Sequence, residues 1–167
     1  ANDPSVSSGR RPNFVATVKG GRSDRRVWML AHLDVVPPGT MEEWKPDPFT
    51  AVVKEGKIFG RGAEDNHQGL VSSLFAAKAF KDLDMTPPCD VGLLLLADEE
   101  TGNTFGMKHI LEHANPFQRD DIIIVPDGGP NTGNMIEIAE KSAMQIRCVV
   151  TGKQTHASTP DVGINAH

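Results

Sequence analysis

One imidazole and a series of carboxylates stand in this sequence where predicted strands end or where glycines flank a loop. They are His32, Asp34, Asp65, Asp98, Glu99, Glu100 and Asp127. Imidazole and carboxylate groups are common ligands of catalytic zinc, and two metal ions can share one site. If folding brings these side chains together, the sequence predicts a catalytic zinc site with one ion, or with two ions that share a bridging carboxylate.

Each part of this set also has a simpler explanation when it is taken alone. His32 and Asp34 are two apart on a predicted strand and leave the same face, so Asp34 can accept the second ring N–H of His32. A structural hydrogen-bonded pair explains the same spacing. The three carboxylates of Asp98–Glu100 repel one another, and negative charge at a helix N-terminus is the alternative explanation for them. Asp127 precedes two glycines and is also typical of a turn. Their joint occurrence favours the metal site.

The elements that must position these side chains follow from the apolar pattern. Three predicted strands lead directly into them: Arg26–Ala31, Val91–Ala97 and Ile122–Val125. The second of these is wholly apolar, which is typical of a parallel strand buried on both faces. Open α/β sheets bind ligands outside the carboxyl ends of their strands, so we expect the candidate ligands to converge at that edge.

The remaining pattern completes an α/β fold. A strand is predicted at Asn13–Val18, and a hairpin at Ala51–Phe59 turns at Glu55–Gly56. The spacing predicts a helix from Asn66, its N-cap, to about Leu83, and another from about Phe105 to His113. On the first helix the apolar residues recur every three and four positions: Leu70, Val71, Leu74, Phe75 and Ala79. Strands that alternate with helices of this length predict an α/β layer fold with a mainly parallel central sheet.

The pattern changes after Pro126. We predict a strand at Met135–Ala139 and an alternating, half-exposed antiparallel strand at Ser142–Thr151. We therefore expect a domain boundary near Lys141, with one domain over residues 1–141 and the beginning of a second over residues 142–167.

Composition excludes several classes of function. The 167 residues carry 17 Lys and Arg against 22 Asp and Glu, a net charge of −5, so nucleic acid and anionic membranes are poor partners. The longest apolar run, Val91–Ala97, is far shorter than the roughly 20 residues that a membrane helix requires. The two cysteines, Cys89 and Cys148, form no CxxC motif, which favours a reduced, cytoplasmic protein.

Four motifs in order along the chain resemble those of the M20 family of zinc metallopeptidases. They are His32-Leu33-Asp34-Val35-Val36-Pro37, Gly60-Arg61-Gly62-Ala63-Glu64-Asp65, Asp98-Glu99-Glu100-Thr101-Gly102 and Pro126-Asp127-Gly128-Gly129. The family includes acetylornithine deacetylase, succinyl-diaminopimelate desuccinylase, aminoacylase and relatives of glutamate carboxypeptidase. The stretch Gly152–Pro160 is similar to the opening of the family's lid domain. The resemblance implies a three-layer α/β/α catalytic domain followed by an α+β lid and dimerisation domain.

The resemblance also implies a role for each matching residue. One zinc would be held by His32 and Asp127 and another by Glu100, with Asp65 bridging them. Cobalt can take the place of zinc. Glu99 would be the general base, and Asp34 would be the partner of His32. His156 would stabilise the oxyanion from the lid, and in dimeric members it reaches the neighbouring subunit's site.

The same resemblance implies hydrolysis of an amide bond in an N-acyl amino acid or a small peptide with a free carboxylate, by a homodimer joined through the lid. The substrate type would be that of a deacylase, a desuccinylase or a carboxypeptidase. The family's last zinc ligand is a histidine beyond His167, and its leading helix is not found here. Two positions depart from the pattern: Asp127 replaces a glutamate, and Asn66–Gly69 replaces a lysine-containing stretch. We expect this chain alone to hold one zinc tightly and to be inactive.

Two alternatives stay open at this point. His109-Ile110-Leu111-Glu112-His113 fits the H-x-x-E-H motif of inverzincin endopeptidases, although two solvent-facing histidines on an amphipathic helix account for it better. The second alternative is a zinc-binding or interaction domain without catalysis. Substitution of His32 should remove zinc if the site is of the M20 type, whereas substitution of His109 should remove it if the inverzincin interpretation is right.

Overall fold

We describe the protein from a computed structural model, in which residues 3–130, 132–142 and 144–166 are described. The chain divides into two compact units, residues 1–128 and residues 129–167. The boundary predicted near Lys141 lies inside the second unit, and it stays a prediction.

The described residues of the first unit, 3–128, form six strands and two helices. The strands are β1 (Phe14–Val18), β2 (Arg26–His32), β3 (Val52–Lys54), β4 (Lys57–Phe59), β5 (Asp90–Leu96) and β6 (Ile122–Ile124). The helices are α1 (His67–Asp82) and α2 (Met107–His113), and a 3-10 turn lies at Met41–Glu43. Each of these strands and both helices lie within two residues of their predicted bounds. The sequence pattern did not indicate the 3-10 turn.

A four-stranded sheet with the order β1-β5-β2-β6 forms the centre of this unit. Strands β5 and β6 both run parallel to β2, whereas β1 pairs with β5 in the antiparallel direction. The mainly parallel sheet expected from the sequence is therefore confirmed. β3 and β4 form the separate predicted hairpin.

The apolar pattern of β5 places it at the centre of the core, and every one of its residues is buried. On one face of the sheet a cluster joins strands β2 and β5 to α2; its members are Trp28, Leu30, Leu94, Leu96 and Ile110. Helix α1 packs against the same two strands. It connects β2 to β5, whereas α2 connects β5 to β6 in the opposite direction across the sheet, so right-handed crossovers place the two helices on opposite faces. This arrangement is the expected α/β/α layering.

The buried face of α1 differs from the one that its large apolar residues predict. Its buried residues are Gly69, Ser73 and Ala77, whereas Val71, Leu74 and Phe75 are exposed. Small side chains four apart let a helix approach a sheet closely, and the larger apolar side chains then point away from it.

The second unit contains little regular structure in its described residues. A single antiparallel bridge joins Lys153 and Ile164, and a 3-10 turn lies at Pro160–Val162. The strands predicted at Met135–Ala139 and Ser142–Thr151 are wrong for all the residues described there. A strand requires a partner for its N–H and C=O groups. These segments have none in the described part of the chain, and Ile138 is 95% exposed.

Among the described residues, no helix combines the length and the apolar character that crossing a bilayer requires.

Candidate metal centre

The predicted ligands meet at the carboxyl edge of the sheet. Strand β2 lies between β5 and β6 and ends at His32, whose side chain is 3% exposed. Glu100 follows the end of β5, Asp127 follows β6, and Asp65 lies just before α1. Because the three parallel strands end at this edge, residues far apart in the sequence become neighbours.

Two carboxylates lie against the same ring nitrogen of His32. The Nε2 atom is 2.8 Å from Asp65 Oδ1 and 3.6 Å from Asp127 Oδ2. Two ligand atoms about 2.1 Å from one tetrahedral ion lie roughly 3.4 Å apart, so this spacing is close to that of a zinc site. The ligand atoms of His32, Asp65 and Glu100 also lie within 4.8 Å of one another.

Glu100 provides the test of whether a cation fits here. Its Oε1 atom is buried and has no hydrogen-bond partner among the residues that the structure describes. A carboxylate oxygen that loses water without gaining a partner destabilises the fold, and a divalent ion in the cluster would remove that penalty. The donor set of one imidazole and several carboxylates is also the type that zinc uses. The residues therefore fit a divalent metal.

The other ring nitrogen of His32 fixes the tautomer. Nδ1 lies 2.8 Å from the backbone carbonyl oxygen of Asp34. Since a carbonyl only accepts hydrogen bonds, Nδ1 carries a proton, and the Nε2 lone pair of the neutral ring faces the carboxylates. Burial lowers the pKa of His32. In the charged ring, however, Nδ1 donates to the Asp34 carbonyl and Nε2 donates to Asp65, and these bonds, with the charge of Asp127, outweigh burial and raise that pKa overall.

The Asp34 carboxylate takes a different partner from the one that the spacing predicts. Its Oδ1 atom is 3.7 Å from His32 Nδ1, too far for a hydrogen bond. Instead, the two carboxylate oxygens accept backbone N–H groups: Oδ1 accepts that of Glu99 at 3.0 Å, and Oδ2 accepts that of Glu100 at 3.1 Å. Asp34 thus holds the imidazole through its main chain and the two glutamates through its side chain. The sequence carries no signal that separates these two contacts.

Glu99 lies beside the cluster, where burial raises the pKa of its carboxyl group. The negative charges of Glu100, Asp127 and Asp34 also raise it, and the charge of His32 opposes them. A pKa closer to neutrality suits a carboxylate that accepts and then releases a proton.

His156 belongs to the second unit. Its Nδ1 accepts the backbone N–H of Ser158 at 3.2 Å and lies 2.8 Å from the Ser158 hydroxyl. Because Nδ1 accepts, the proton of the neutral ring lies on Nε2, which is then a hydrogen-bond donor.

His109 and His113, the histidines of the alternative motif, stack on each other with ring centroids 4.3 Å apart. His113 Nδ1 bonds to the carbonyl of His109 at 3.0 Å. In the described part of the chain, the group of three potential metal ligands includes neither of them. The structure therefore gives the inverzincin alternative no support.

Comparisons with known proteins show which family the chain resembles. The sequence model of the peptidase family M20/M25/M40 matches residues 28–162. An uncharacterized metallohydrolase of Methanocaldococcus jannaschii is 43% identical over 158 residues, which are 93% of this chain and 38% of that protein. A succinyl-diaminopimelate desuccinylase of Delftia acidovorans is 34% identical over 167 residues, 98% of this chain and 43% of that protein.

A solved structure shares the fold. The M20 family metallo-carboxypeptidase of Sulfolobus solfataricus has a TM-score of 0.59 and 28% sequence identity, over 71% of this chain and 26% of that chain. The present chain thus spans about two fifths of the length of the curated relatives described above.

Proposed function

The chain belongs to the peptidase family M20/M25/M40, and on this premise we propose that it forms the metal-binding part of a zinc-dependent amide hydrolase. The resemblance that the four motifs indicate is thereby confirmed, as is the α/β fold class. The observation that carries the proposal is the buried Oε1 of Glu100 beside His32 and Asp65, which has no hydrogen-bond partner in the described part of the chain.

We assign the ligands as the family resemblance implies. His32 and Asp127 would hold one zinc, Glu100 would hold the other, and Asp65 would contribute to both. When bound, zinc lowers the pKa of a coordinated water and polarises a carbonyl group. The short distances from His32 Nε2 to Asp65 and Asp127 support this assignment.

Glu99 acts as the general base in this proposal. It takes a proton from the attacking water and later gives it to the leaving amine, so the amide C–N bond breaks as a carboxylate and a free amine form. The raised pKa of Glu99 supports this role. Asp34 holds the backbone of both glutamates and the ring of His32, which keeps base and ligands in a fixed relation.

His156 would stabilise the negative charge that develops on the carbonyl oxygen. A donor placed for the transition state is worth several kcal/mol in other hydrolases, about 3–4 kcal/mol for one oxyanion-hole group. The tautomer imposed by Ser158, with its proton on Nε2, supports this role.

The names of the relatives narrow the substrate class. One relative is a desuccinylase and a solved neighbour is a metallo-carboxypeptidase. We therefore propose an N-acyl amino acid or a small peptide with a free carboxylate as substrate.

We further propose residues 1–141 as catalytic domain, residues 142–167 as the start of the lid, a homodimer joined through the lid, and a cytoplasmic location. The free cysteines Cys89 and Cys148 support the last point.

The test uses the natural full-length protein loaded with zinc. It measures amine release from N-succinyl and N-acetyl amino acids and from dipeptides, with zinc content determined on the same samples. We expect turnover of at least one substrate with a free carboxylate, and loss of it with a chelator. His32→Ala should lose zinc and turnover, whereas the control His109→Ala should keep both. The opposite result would favour the His109/His113 site, and tightly bound zinc without any turnover would favour a non-catalytic domain.

A further inference from the structure

Both glutamates of the proposed active site lie in residues 98–105, the central part of the connection between β5 and α2, which we call the loop. Its first residue, Asp98, is 3% exposed and has a φ of 78°, in the left-handed region that non-glycine residues seldom adopt. Such a conformation persists only where neighbouring groups impose it. The groups that impose it therefore also set the course of the backbone into Glu99 and Glu100.

The Asp98 carboxylate folds the loop back on itself. Its Oδ2 accepts the backbone N–H of Phe105 at 2.9 Å, and its Oδ1 accepts the hydroxyl of Thr101. The Asp98 carbonyl accepts the N–H of Asn103 at 2.6 Å. A buried carboxylate also needs a nearby cation, since an isolated buried charge is strongly unfavourable.

Arg11 supplies that cation from the segment before β1. Its Nη1 lies 3.1 Å from Asp98 Oδ1, and its Nε donates to Asp3 Oδ2 at 2.6 Å. The Asp3 and Asp98 side chains are 5% and 4% exposed. The Arg11 guanidinium also lies 6.0 Å from the centre of the Phe105 ring. Arg11 therefore joins the beginning of the chain to both ends of the loop.

Asn13 makes a second connection from the same segment. Its Oδ1 accepts the N–H of Ala97 at 2.9 Å, and its Nδ2 donates to the carbonyl of Phe105 at 2.8 Å. One side-chain amide thus bridges the residue before the loop and the last residue of the loop. A third connection comes from the residues after β2, where the Asp34 carboxylate accepts the N–H groups of Glu99 and Glu100.

We propose that Arg11 is a positioning residue of the active site, which acts through Asp98 to hold the loop that presents Glu99 and Glu100. Asn13 has the same role through Ala97 and Phe105. The catalytic consequence rests on the proposed hydrolase function, whereas the anchoring of the loop does not. Both residues precede the stretch 28–162 that the family model matches.

The first arm of the test measures anchoring in the metal-free, full-length protein by amide hydrogen exchange. Arg11→Met should speed exchange of residues 98–105 by about tenfold or more, with no change in β5. Arg10→Met is the matched control, because Arg10 is an exposed neighbour, and it should exchange as the wild type does. Arg11→Lys keeps the charge but not the planar fork that reaches two carboxylates, so its exchange should be intermediate.

The second arm measures kinetics at saturating zinc. Arg11→Met should lower kcat by about fivefold or more while KM stays within about twofold, and Arg11→Lys should lie between it and the wild type. If Arg11→Met does not fold, Arg11→Lys decides, and wild-type exchange and kcat in that variant overturn the inference.

Two other outcomes separate this inference from the proposed function. Equal acceleration of exchange in β5 and in the loop, with kcat unchanged, would make Arg11 a general stabiliser and overturn the inference. A wild-type protein that hydrolyses no substrate would contradict the proposed function, while faster loop exchange in Arg11→Met would still support the anchoring.

Discussion

Glu99 and Glu100 are adjacent in the chain but differ in environment. Glu100 has a carboxylate oxygen buried in the ligand cluster that lacks a hydrogen-bond partner among the described residues. Glu99 as a whole is more exposed than Glu100, and partial burial of its carboxyl group contributes to the raised pKa of that group. Their backbone N–H groups share one acceptor, the Asp34 carboxylate. Two neighbouring side chains held by one group can therefore serve separate functions.

We predict that isosteric substitutions at the two positions fail differently. Glu100→Gln removes a charged ligand, so zinc content and activity should fall together. Glu99→Gln removes only the proton acceptor, so zinc should stay while kcat falls by about 10²–10⁴-fold. Metal analysis and turnover on the same full-length samples check this. Loss of zinc from Glu99→Gln alone would show that the roles are reversed.

The sequence predicted which ligand types would gather but not all of their contacts. His32, Asp65, Glu100 and Asp127 lie together as the strand ends require. The bond from His32 Nδ1 to a backbone carbonyl could not be foreseen, because every residue has a carbonyl and only the exact course of the chain after β2 selects one. Likewise, Arg11 and Asn13 follow no motif spacing toward the loop that they hold.

At the scale of elements, the start of α1 is pressed against the loop that carries Asp127. A Cβ atom at Gly69 would lie 2.1 Å from Asn66 Oδ1 and 2.1 Å from the Pro126 carbonyl oxygen. These two neighbours directly follow Asp65 and precede Asp127. A glycine on the helix therefore sets the distance between two of the proposed ligands.

We expect Gly69→Ala to disturb both stability and metal binding. The helix propensity of Ala favours the variant by up to about 1 kcal/mol, but the clash costs about 1–3 kcal/mol and should outweigh it. The zinc dissociation constant should rise about tenfold, as when groups that orient a ligand are displaced. Urea unfolding and zinc titration measure the two effects. The exposed neighbour Gln68→Ala is the control, and equal zinc affinities in the two variants would contradict the argument.

The turn after β1 is tied to the start of β5 by a buried charge. Asp90 is fully buried, and its carboxylate accepts the Gly20 N–H and the Lys19 ammonium, both at 2.9 Å. The bond from Gly20, followed by that from Lys19, lowers the pKa of Asp90 to about 2. This group therefore binds its proton less readily in the folded protein than in the unfolded chain.

The lowered pKa of Asp90 determines how the free energy of unfolding depends on pH. A lowered folded-state pKa gives a contribution that is complete above the unfolded pKa and is lost as the pH falls through the folded value. The free energy of unfolding should drop between about pH 4 and pH 2, and less steeply in Asp90→Asn. Urea titrations at several pH values measure it. Identical slopes for the two proteins would show that Asp90 does not contribute.

The elements themselves were largely predictable, and their surroundings explain the exceptions. The local sequence is enough to predict two of them: β5 from its wholly apolar stretch, and the β3–β4 hairpin from the glycine in its turn. The alternating stretch at Ser142–Thr151 has a strand-like pattern, but a strand also needs a paired neighbour, which the pattern cannot supply. For α1 the periodicity predicted the helix but not its buried face, because close packing selected small residues over Val71 and Phe75.

At the scale of the whole molecule, the proposed ligands come from four segments of the first unit. His32, Asp65 and Asp127 would form a near-complete site, whereas, among the described residues, Glu100 has only Asp65 to share a second ion. We therefore predict about one tightly held zinc per chain for this sequence alone. Equilibrium dialysis with metal analysis measures the ratio, and two equally tight ions would contradict it.

The convergence of these four segments has a thermodynamic consequence. Successive ligands are about 30 residues apart, so an ion bound to the folded state closes several long loops at once, as a set of cross-links would. At a free zinc concentration of 100 times its dissociation constant, the gain is about 2.7 kcal/mol. This corresponds to a rise in Tm of roughly 5–10 °C for a chain of this size, measurable with and without a chelator. An equal Tm with and without the chelator would contradict this prediction. Because bound zinc stabilises the folded state, the supply of zinc would set the fraction of chains that are unfolded and can be cleaved by proteases.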